Sequence, residues 1–293
     1  SVTRPCTAPG AAHKVVLMSL LVTVSRSPRL AGPLMLAGAL AILTVPGAEA
    51  ECPLPEAIEA ELGAAGLERS ARTVRFSAPP PKGLYRKAAA RVGEVVTNRD
   101  GKKGFGVVVA EVPVEALWRA INDEDAHDEG GFMPINRSEI VGGTPRGTER
   151  RVFQAGEKLG LGRWWLTRTT MSRSLFEASD GRLWESVWED DMKGVDSKRA
   201  PVENPPDLSP IEWSRGAWLL VPLTPECTLV EHFSWSSQGG FVGMMQGLVL
   251  GKALTQSVEG MVRMADERYR GPVEGPPFAR PDGSPLEPVP DVP

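Results

Sequence analysis

Few side chains in this sequence could bind a metal or act as a nucleophile. The chain has three histidines and three cysteines among 293 residues. His127 and His232 do not form a ligand spacing such as H-E-x-x-H, and Cys52 and Cys227 are too few for a zinc site. We therefore predict no metal and no cofactor.

Other candidate chemistry is also weak. The acidic stretch DEDAHDEGG at 123–131 lacks the glycine and terminal acid of an EF-hand loop at the required spacing, so we predict a solvated loop. Asp190 and Asp191 could form a pair of acids, but neighbours in a strand point to opposite faces, so their carboxyl groups would not share a site. Ser234 shares a strand face with His232, but no nucleophile elbow surrounds it. The sequence therefore predicts no catalysis.

The N-terminal 50 residues have the pattern of a secretory signal. Arg26 and Arg29 precede the apolar run LMLAGALAILTV at 34–45, and the small-x-small motif AEA follows at 48–50. We predict that translation starts at Met18, so that residues 1–17 are an over-extended start. We predict that the signal is cleaved near residue 50. The mature protein would then be periplasmic or secreted.

Two alternatives to a cleaved signal stay open. The apolar run could be a membrane anchor, although 12 residues are short of the roughly 20 that span a bilayer. A lipoprotein would need an acylated Cys52, and the preceding AEAE lacks the expected aliphatic-small-small pattern. After cleavage Cys52 and Cys227 would be the two remaining cysteines, and we predict that they pair in an oxidising compartment.

The charge and composition limit the classes of partner and the number of domains that we predict. Removal of residues 1–50 takes away four basic residues and one acidic residue, which changes the net charge from −4 to −7. Because phosphate binding needs a basic surface, nucleic acid is excluded as a partner. A hydrophobic content of 41% suits one domain. We place this domain at 51–270 and predict that the Pro-rich tail at 271–293 is disordered.

Helices and a hairpin are predicted in the first half of the domain. The stretch at 52–67 has Pro55 near its first turn and a glycine at its end, which is typical of a short helix. Two β-rich runs at 90–98 and 103–112 flank an Asp-Gly turn, which predicts a hairpin. The stretch VPVEALWRAIND at 112–123 has the apolar spacing of an amphipathic helix.

Serial strands are predicted from 137 to 237. In RLWESVWEDD both alternating faces carry apolar groups, so this strand is covered on both sides or lines an enclosed space. The Pro-rich stretch at 193–213 is predicted to be a long surface loop. Short connections between the runs indicate an antiparallel meander. The runs are RSEIVG, TERRVFQAGE, GRWWLTRTTMSRS, RLWESVWEDD, GAWLLVPL and CTLVEHFSWSS.

The last predicted element is an amphipathic helix of about 26 residues, about 40 Å long at 1.5 Å per residue. Its apolar face needs a large partner, and the inner face of the meander is the candidate. Gly243, Gly247 and Gly251 recur at every fourth position near its start. They allow two interpretations, close packing on the sheet or a helix start that frays as a mobile lid.

This order of elements resembles the helix-grip fold of the StAR-related lipid transfer (START) domains and their wider ligand-binding superfamily, here as an exported bacterial member. The resemblance lies in VPVEALWRAIND, in RGAWLLVPLTPECTLVEHFSWSS and in the glycine-led start of the last helix, QGGFVGMMQGLVLGKALTQSVEGM, and it covers roughly residues 56–269. It implies an α+β fold in which a curved antiparallel sheet wraps around a long C-terminal helix.

The resemblance also implies a cavity that holds one apolar molecule, such as a sterol, phospholipid or fatty acid. We expect a monomeric lipid-binding or transfer protein that is not an enzyme and that contacts membranes transiently. One alternative is a START-like cyclase or hydrolase that acts on an aromatic or polyketide-like substrate, with His232 or a buried carboxylate as general acid or base. The other is a non-catalytic envelope interaction protein whose cavity is filled by side chains. The candidate ligand-binding residues are Trp118, Phe132, Arg151, Trp164, Trp184, Glu185, Trp188, Trp218, Glu231, His232, Met244, Met245 and Leu248.

Overall fold

A computed structural model describes most of the chain after the N-terminal segment. The contacts divide the chain into two units, Ser1–Val45 and Pro46–Pro293. The first unit and the predicted signal peptide lie outside the described residues. The structure describes residues 52–53, 55–64, 83–158, 161–195, 200–204, 206–237 and 240–288, and it describes the side chains of these ranges except 61–64, 158, 161 and 240–249.

Nine strands form one sheet, and every neighbouring pair along its main path is antiparallel. The order is β1-β2-β9-β8-β6-β5-β4-β3, and the short β7 pairs in parallel with β5. The strands are β1 (Val96–Asp100), β2 (Lys103–Ala110), β3 (Arg137–Gly143), β4 (Glu149–Lys158), β5 (Leu161–Met171), β6 (Trp184–Asp190), β7 (Ser209–Pro210), β8 (Trp213–Thr224) and β9 (Cys227–Ser237). The predicted hairpin and all six strands of the predicted meander are present.

Five α-helices and one short 3-10 helix (Glu124–Ala126) accompany the sheet in the described ranges. The α-helices are α1 (Pro55–Ala64), α2 (Leu84–Ala89), α3 (Val114–Asn122), α4 (Arg173–Ala178) and α5 (Gly240–Arg268). The long helix α5 packs on β1, β2 and β9 and on α3. This arrangement confirms the predicted α+β helix-grip fold. No helix in the described ranges is long and apolar enough to cross a membrane.

Helix α5 packs closely on the sheet at a glycine of β2. A Cβ atom at Gly104 of β2 would collide with the side chain of Leu254. The glycine therefore lets the apolar stripe of α5 lie directly on the backbone of β2. Further along the helix, Val258 and Met261 are fully buried, as the amphipathic pattern predicts.

The sheet is covered on both faces. Its inner face, which we define by Val108, Trp184 and Trp218, forms one apolar cluster with α3 and α5. Its outer face, which we define by Val107 and Leu219, forms a second apolar cluster with α1 and α2. Because side chains alternate along a strand, each central strand contributes to both clusters. This confirms the interpretation of the strand at 182–191 as covered on both sides.

A disulfide joins the N-terminal arm to the outer face of the sheet. Cys52 and Cys227 are bonded, with a Cα–Cα distance of 5.4 Å and a sequence separation of 175 residues. This is the pairing predicted from the sequence. In the chain-entropy model, closure of so long a loop stabilises the folded state by roughly 5 kcal/mol.

The C-terminal segment is ordered where the structure describes it, which corrects the predicted disorder of 271–293. Phe278 and Leu286 are buried in the inner-face cluster. The indole Nε1 of Trp118 donates to the carbonyl of Ala279 at 2.8 Å, and Arg119 donates to the carbonyl of Glu287 at 2.7 Å. The Pro-rich composition predicted disorder because it contains few apolar residues, but two well-placed ones are enough to anchor the segment. Residues 289–293 lie outside the described ranges.

Candidate functional site

His232 of β9 lies on the inner face of the sheet between two tryptophans. Strand register pairs it with Trp218 of β8, and the two ring centroids are 3.9 Å apart. The ring centroid of Trp188 in β6 lies 5.5 Å from that of His232, and the two rings meet edge-on. The imidazole is therefore enclosed by aromatic surface and is 6% exposed.

The electrostatic state of His232 follows from this burial. Loss of water lowers the pKa of His232 from 6.5 to about 3, and no charged neighbour contributes to the shift. The ring is therefore neutral at pH 7, with one nitrogen as donor and the other as acceptor. Its Nδ1 atom has no hydrogen-bond partner in the part of the chain that the structure describes. A buried polar atom of this kind is costly unless something binds it.

The surroundings of His232 form an aromatic slot with small polar groups. A Cβ atom at Gly216 would collide with the indole of Trp188, so this glycine makes room for the ring. The Nε1 atom of Trp188 donates to the hydroxyl of Ser214 at 3.2 Å. Register places Ser234 beside Gly216 on the same face. The slot offers flat apolar surface together with neutral hydrogen-bonding groups.

A second polar group on the inner side centres on Arg150 of β4, which is fully buried. Its Nη2 atom donates to Oε1 of Glu124 at 2.6 Å and to Oδ1 of Asn122 at 2.8 Å. The hydroxyl of Ser186 also donates to that amide oxygen, at 3.2 Å. This arginine is engaged by its protein partners, so it offers a ligand no uncommitted positive charge. Oε2 of Glu124 has no hydrogen-bond partner within the described ranges.

The sequence analysis did not select these network residues. Asn122 is the last residue of α3 and Glu124 lies two residues further on, whereas Arg150 comes 26 residues after Glu124 in β4. The polar residues at the buried end of α3 were the available signal. Their partner could not be chosen among several arginines without knowledge of which face of β4 is covered.

His127 is a second buried histidine, and it has a structural environment. Its Nε2 atom lies 3.0 Å from the carbonyl of Ala120, and its Nδ1 atom lies 3.5 Å from the amide nitrogen of Gln154. Burial lowers the pKa of His127, and nearby Glu124 opposes this shift. The side chain is thus held by neighbouring elements on both sides of its ring. No group of acidic, histidine or cysteine side chains in the described ranges could hold a metal ion.

The structure brings six of the predicted ligand-binding residues to the inner side of the sheet. Trp118 of α3 contacts Trp184 edge-on, with ring centroids 5.5 Å apart. Phe132 packs beneath Arg263 and Arg268 of α5. The six residues are Trp118, Phe132, Trp184, Trp188, Trp218 and His232.

Two predicted polar anchors, Glu185 and Glu231, lie on the outer face instead, which corrects their assignment to the cavity. Register pairs both with Leu219, a residue of the outer-face cluster. The hydroxyl of Tyr85 donates to Glu231, and that of Ser172 donates to Glu185 at 2.7 Å. The physical reason is strand alternation: each carboxylate neighbours an inner-face residue and therefore points the opposite way.

Arg151 and Trp164 are corrected in the same way. Arg151 is partly exposed and forms an ion pair with Asp191 at 2.6 Å. Trp164 packs against Phe153 beneath the segment that contains Ala200, in a separate apolar cluster. The predicted lid residues Met244, Met245 and Leu248 fall within the backbone of α5, but their side chains lie outside the described set.

Comparisons with known proteins give matches among solved structures. No protein-family model matches the chain, and a search of curated proteins finds no match. A STAR-related lipid transfer protein fragment from Xanthomonas axonopodis is 14% identical, with a TM-score of 0.48, and the match covers 60% of this chain and 96% of that one. Human StAR-related lipid transfer protein 5 is 11% identical, with a TM-score of 0.46 and coverage of 73% and 95%.

A third match is to an enzyme. The Zhui aromatase/cyclase from Streptomyces sp. R1128 is 14% identical, with a TM-score of 0.39, and the match covers 60% of this chain and 97% of that one. At these identities and TM-scores we base the function on this chain's own residues.

Proposed function

We propose that this protein binds one neutral, largely apolar molecule between the inner face of its sheet and α5. His232 supports the proposal most directly, because its buried Nδ1 atom has no partner among the described residues and its ring lies between two tryptophan rings. A ligand hydroxyl would give this nitrogen the hydrogen bond that it lacks. The tryptophans would cover the apolar body of the ligand.

The charge state of the slot favours one of the three ligand classes implied by the resemblance. A fatty acid or a phospholipid brings an anionic group, which needs a positive partner. His232 is neutral because its pKa is about 3, and Arg150 already binds Glu124 and Asn122. A sterol-like alcohol brings a single neutral hydroxyl and a flat apolar body. We therefore propose a sterol-like alcohol as the ligand.

The same observations support binding rather than catalysis. A histidine with a pKa of about 3 is a weak general base at neutral pH, because efficient bases have a pKa near the working pH. The Nδ1 atom of His232 has no hydrogen-bond partner in the described ranges, so no carboxylate there orients the ring through this atom as in a catalytic triad. The proposed role is a carrier that shields its ligand from water.

Ligand binding can be tested with fluorescent probes. We expect a fluorescent sterol to bind the purified protein and a fluorescent fatty acid to bind more weakly. His232→Phe should weaken sterol binding about 2- to 12-fold, because one neutral hydrogen bond contributes about 0.5–1.5 kcal/mol. Ser172→Ala, which alters a buried hydroxyl on the outer face, is the matched control and should bind normally. Tighter fatty-acid binding that ignores His232→Phe would contradict the proposed ligand.

Native mass spectrometry of protein from its own host gives an independent test. A bound sterol-like ligand should appear as a defined added mass that is lost on denaturation. Protein that carries no added mass and binds neither fluorescent probe would favour the alternative of a cavity filled by side chains.

We also propose that the protein works outside the cytoplasm. The predicted signal peptide and the Cys52–Cys227 disulfide support this location, because disulfides persist in oxidising compartments. N-terminal sequencing of protein from a periplasmic or secreted fraction should find a start near residue 51. Recovery of the protein only from the cytoplasm, with residues 18–50 intact, would contradict export.

A further inference from the structure

One end of the sheet combines aromatic and basic side chains at its surface. The turn between β1 and β2 at 100–103, the start of β8 and the end of β9 meet here, since register pairs Lys103 with Trp235 and Trp213 with Ser237. Helix α5 begins at the same end, at Gly240, shortly after β9 stops at Ser237. Alternation places Lys103, Trp213 and Trp235 on the outer side of the sheet at this end, where Trp235 packs against the outer-face cluster.

Two tryptophans at this end are only partly buried, although most of the large apolar side chains in the described ranges are in the core. Trp213 and Trp235 meet edge-on with ring centroids 5.0 Å apart. The ammonium group of Lys103 lies 4.7 Å from the centroid of the Trp235 ring. Partly exposed indoles beside lysine are the side chains that favour the boundary between water and lipid.

The local charge differs in sign from that of the whole chain. The segment RDGKK at 99–103 contains three basic residues and one acidic residue, whereas the chain has a net charge of −4. Lys102 is exposed, and its ammonium group donates to the hydroxyl of Ser237 at 2.7 Å. A positive turn on an acidic protein complements a negatively charged surface and orients this end toward it.

We propose that this end docks on membranes that contain anionic lipid. We name it the aromatic-basic rim and define it as Arg99, Lys102, Lys103, Trp213 and Trp235. The indoles lie at the level of the headgroups, and the basic turn binds the negative surface. The inference rests on the proposed carrier function, because a carrier of an apolar molecule exchanges it with membranes. A membrane fits this rim better than a protein partner does, because the aromatic pair is flanked by a charged turn rather than by a wide apolar patch.

Vesicle flotation tests the rim without any ligand. Full-length mature protein is mixed with vesicles of phosphatidylcholine alone or with 30% phosphatidylglycerol. We expect binding to the anionic vesicles, weakened by salt because the charges are exposed. The double variant Lys102→Gln/Lys103→Gln should partition about 30-fold less, from about 5-fold for each basic residue removed. Trp213→Ala should reduce binding to both kinds of vesicle.

The matched control removes two exposed basic residues at the opposite end of the sheet. Arg91 precedes Gly93, whose amide bonds to Val109 near the end of β2, and Arg173 follows β5. The variant Arg91→Gln/Arg173→Gln has the same net charge as the rim variant and should bind anionic vesicles normally. Equal losses in both double variants would overturn the proposal, because net charge alone would explain them.

A second readout separates this proposal from the proposed function. Sterol binding is measured in solution without vesicles, and thermal unfolding verifies that each variant is folded. Wild-type protein that binds sterol but neither kind of vesicle would overturn the docking surface and leave the carrier function intact. Protein that binds anionic vesicles through the rim but binds no sterol would support the surface and contradict the proposed ligand.

Discussion

Buried polar groups on opposite faces of two central strands differ in their hydrogen bonding. On the outer face, Glu231 accepts a hydrogen bond from Tyr85, and Glu185 accepts one from Ser172. On the inner face, His232 is buried between tryptophans, and its Nδ1 atom has no partner in the described ranges. Glu231 and His232 are consecutive residues of β9. They occupy nearly the same position in the strand and differ in the face of the sheet to which they point.

This difference separates structural polar groups from a binding group. A hydrogen-bonded carboxylate fixes the covering elements on the sheet, and its removal should change stability. A buried nitrogen without a partner costs stability, and a ligand that forms a hydrogen bond with it would remove that cost. Burial alone does not distinguish the two, because both side chains are almost completely covered.

The largest expected effect comes from two adjacent arginines of β4 that point to opposite faces. Arg150→Met should destabilise the fold by about 3–5 kcal/mol, because it leaves the buried carboxylate of Glu124 without its positive partner. Arg151→Met removes a partly exposed ion pair with Asp191 and should cost about 0–1 kcal/mol. Urea unfolding measures both values. Similar losses for the two variants would contradict the contrast between a buried and a partly exposed ion pair.

The next effect depends on pH and isolates His232. Its pKa is about 3 in the folded protein and 6.5 in the unfolded chain, so the unfolded chain binds more protons between these values. Stability is therefore lost as the pH falls from 6.5 toward 3, by up to about 1.4 kcal/mol per pH unit. The variant His232→Phe has no group that titrates at this position. Its free energy of unfolding, relative to that of wild type, should therefore be about 3 kcal/mol higher at pH 4 than at pH 7.

Urea unfolding at the two pH values checks this expectation. His127 also has a lowered pKa and contributes with the same sign, but it is present in both proteins and cancels in the difference. A difference between variant and wild type that does not change with pH would show that His232 is solvated and that the slot is not as dry as the structure indicates.

On the outer face, Tyr85→Phe should cost about 1–3 kcal/mol, because it removes a hydroxyl that donates to the buried carboxylate of Glu231. Sterol binding should not change, since the hydroxyl lies on the other side of the sheet from His232. Thermal or urea unfolding and the sterol titration give the two readouts. Weaker sterol binding in this variant would show that the two faces are coupled.

The smallest effect concerns the helix that covers the inner face. If the glycines near the start of α5 serve a lid, Gly247→Ala should stabilise the helix by about 1 kcal/mol and slow ligand release. If they serve close packing, the added methyl group should lower the melting temperature instead. One thermal melt and one release rate distinguish these results. A destabilised variant with unchanged release would contradict the lid interpretation.

The sequence was sufficient to predict α1, α3, α5, the hairpin and the meander, but not α2, α4 or β7. The apolar spacing in VPVEALWRAIND predicted α3, the Asp-Gly turn predicted the β1–β2 hairpin, and the two-sided apolar pattern of β6 predicted a strand covered on both faces. These signals are local, because each depends on residues within one element and its caps. Their order then predicted the helix-grip arrangement.

The candidate site could be predicted only in part, because strand alternation tells which residues share a face but not which face is inner. All four were predicted to bind the ligand, but His232 and Trp218 lie on the inner face, whereas Glu231 and Glu185 lie on the outer face. The partnership of Arg150 with Glu124 depends on strand register and on the position of α3. Such distant pairings are not encoded in the spacing of any one segment.

The span of the Cys52–Cys227 disulfide sets an order of events during biogenesis. Cys52 is synthesised 175 residues before its partner. Its thiol therefore stays reduced, or forms a temporary disulfide with another thiol, until β9 has been synthesised. If residues 1–50 are cleaved, these two cysteines allow a single intramolecular pairing. Maturation would then require an oxidant but no isomerase to reshuffle wrong bonds. The disulfide thus marks a late step, taken once the final hairpin of the sheet is available.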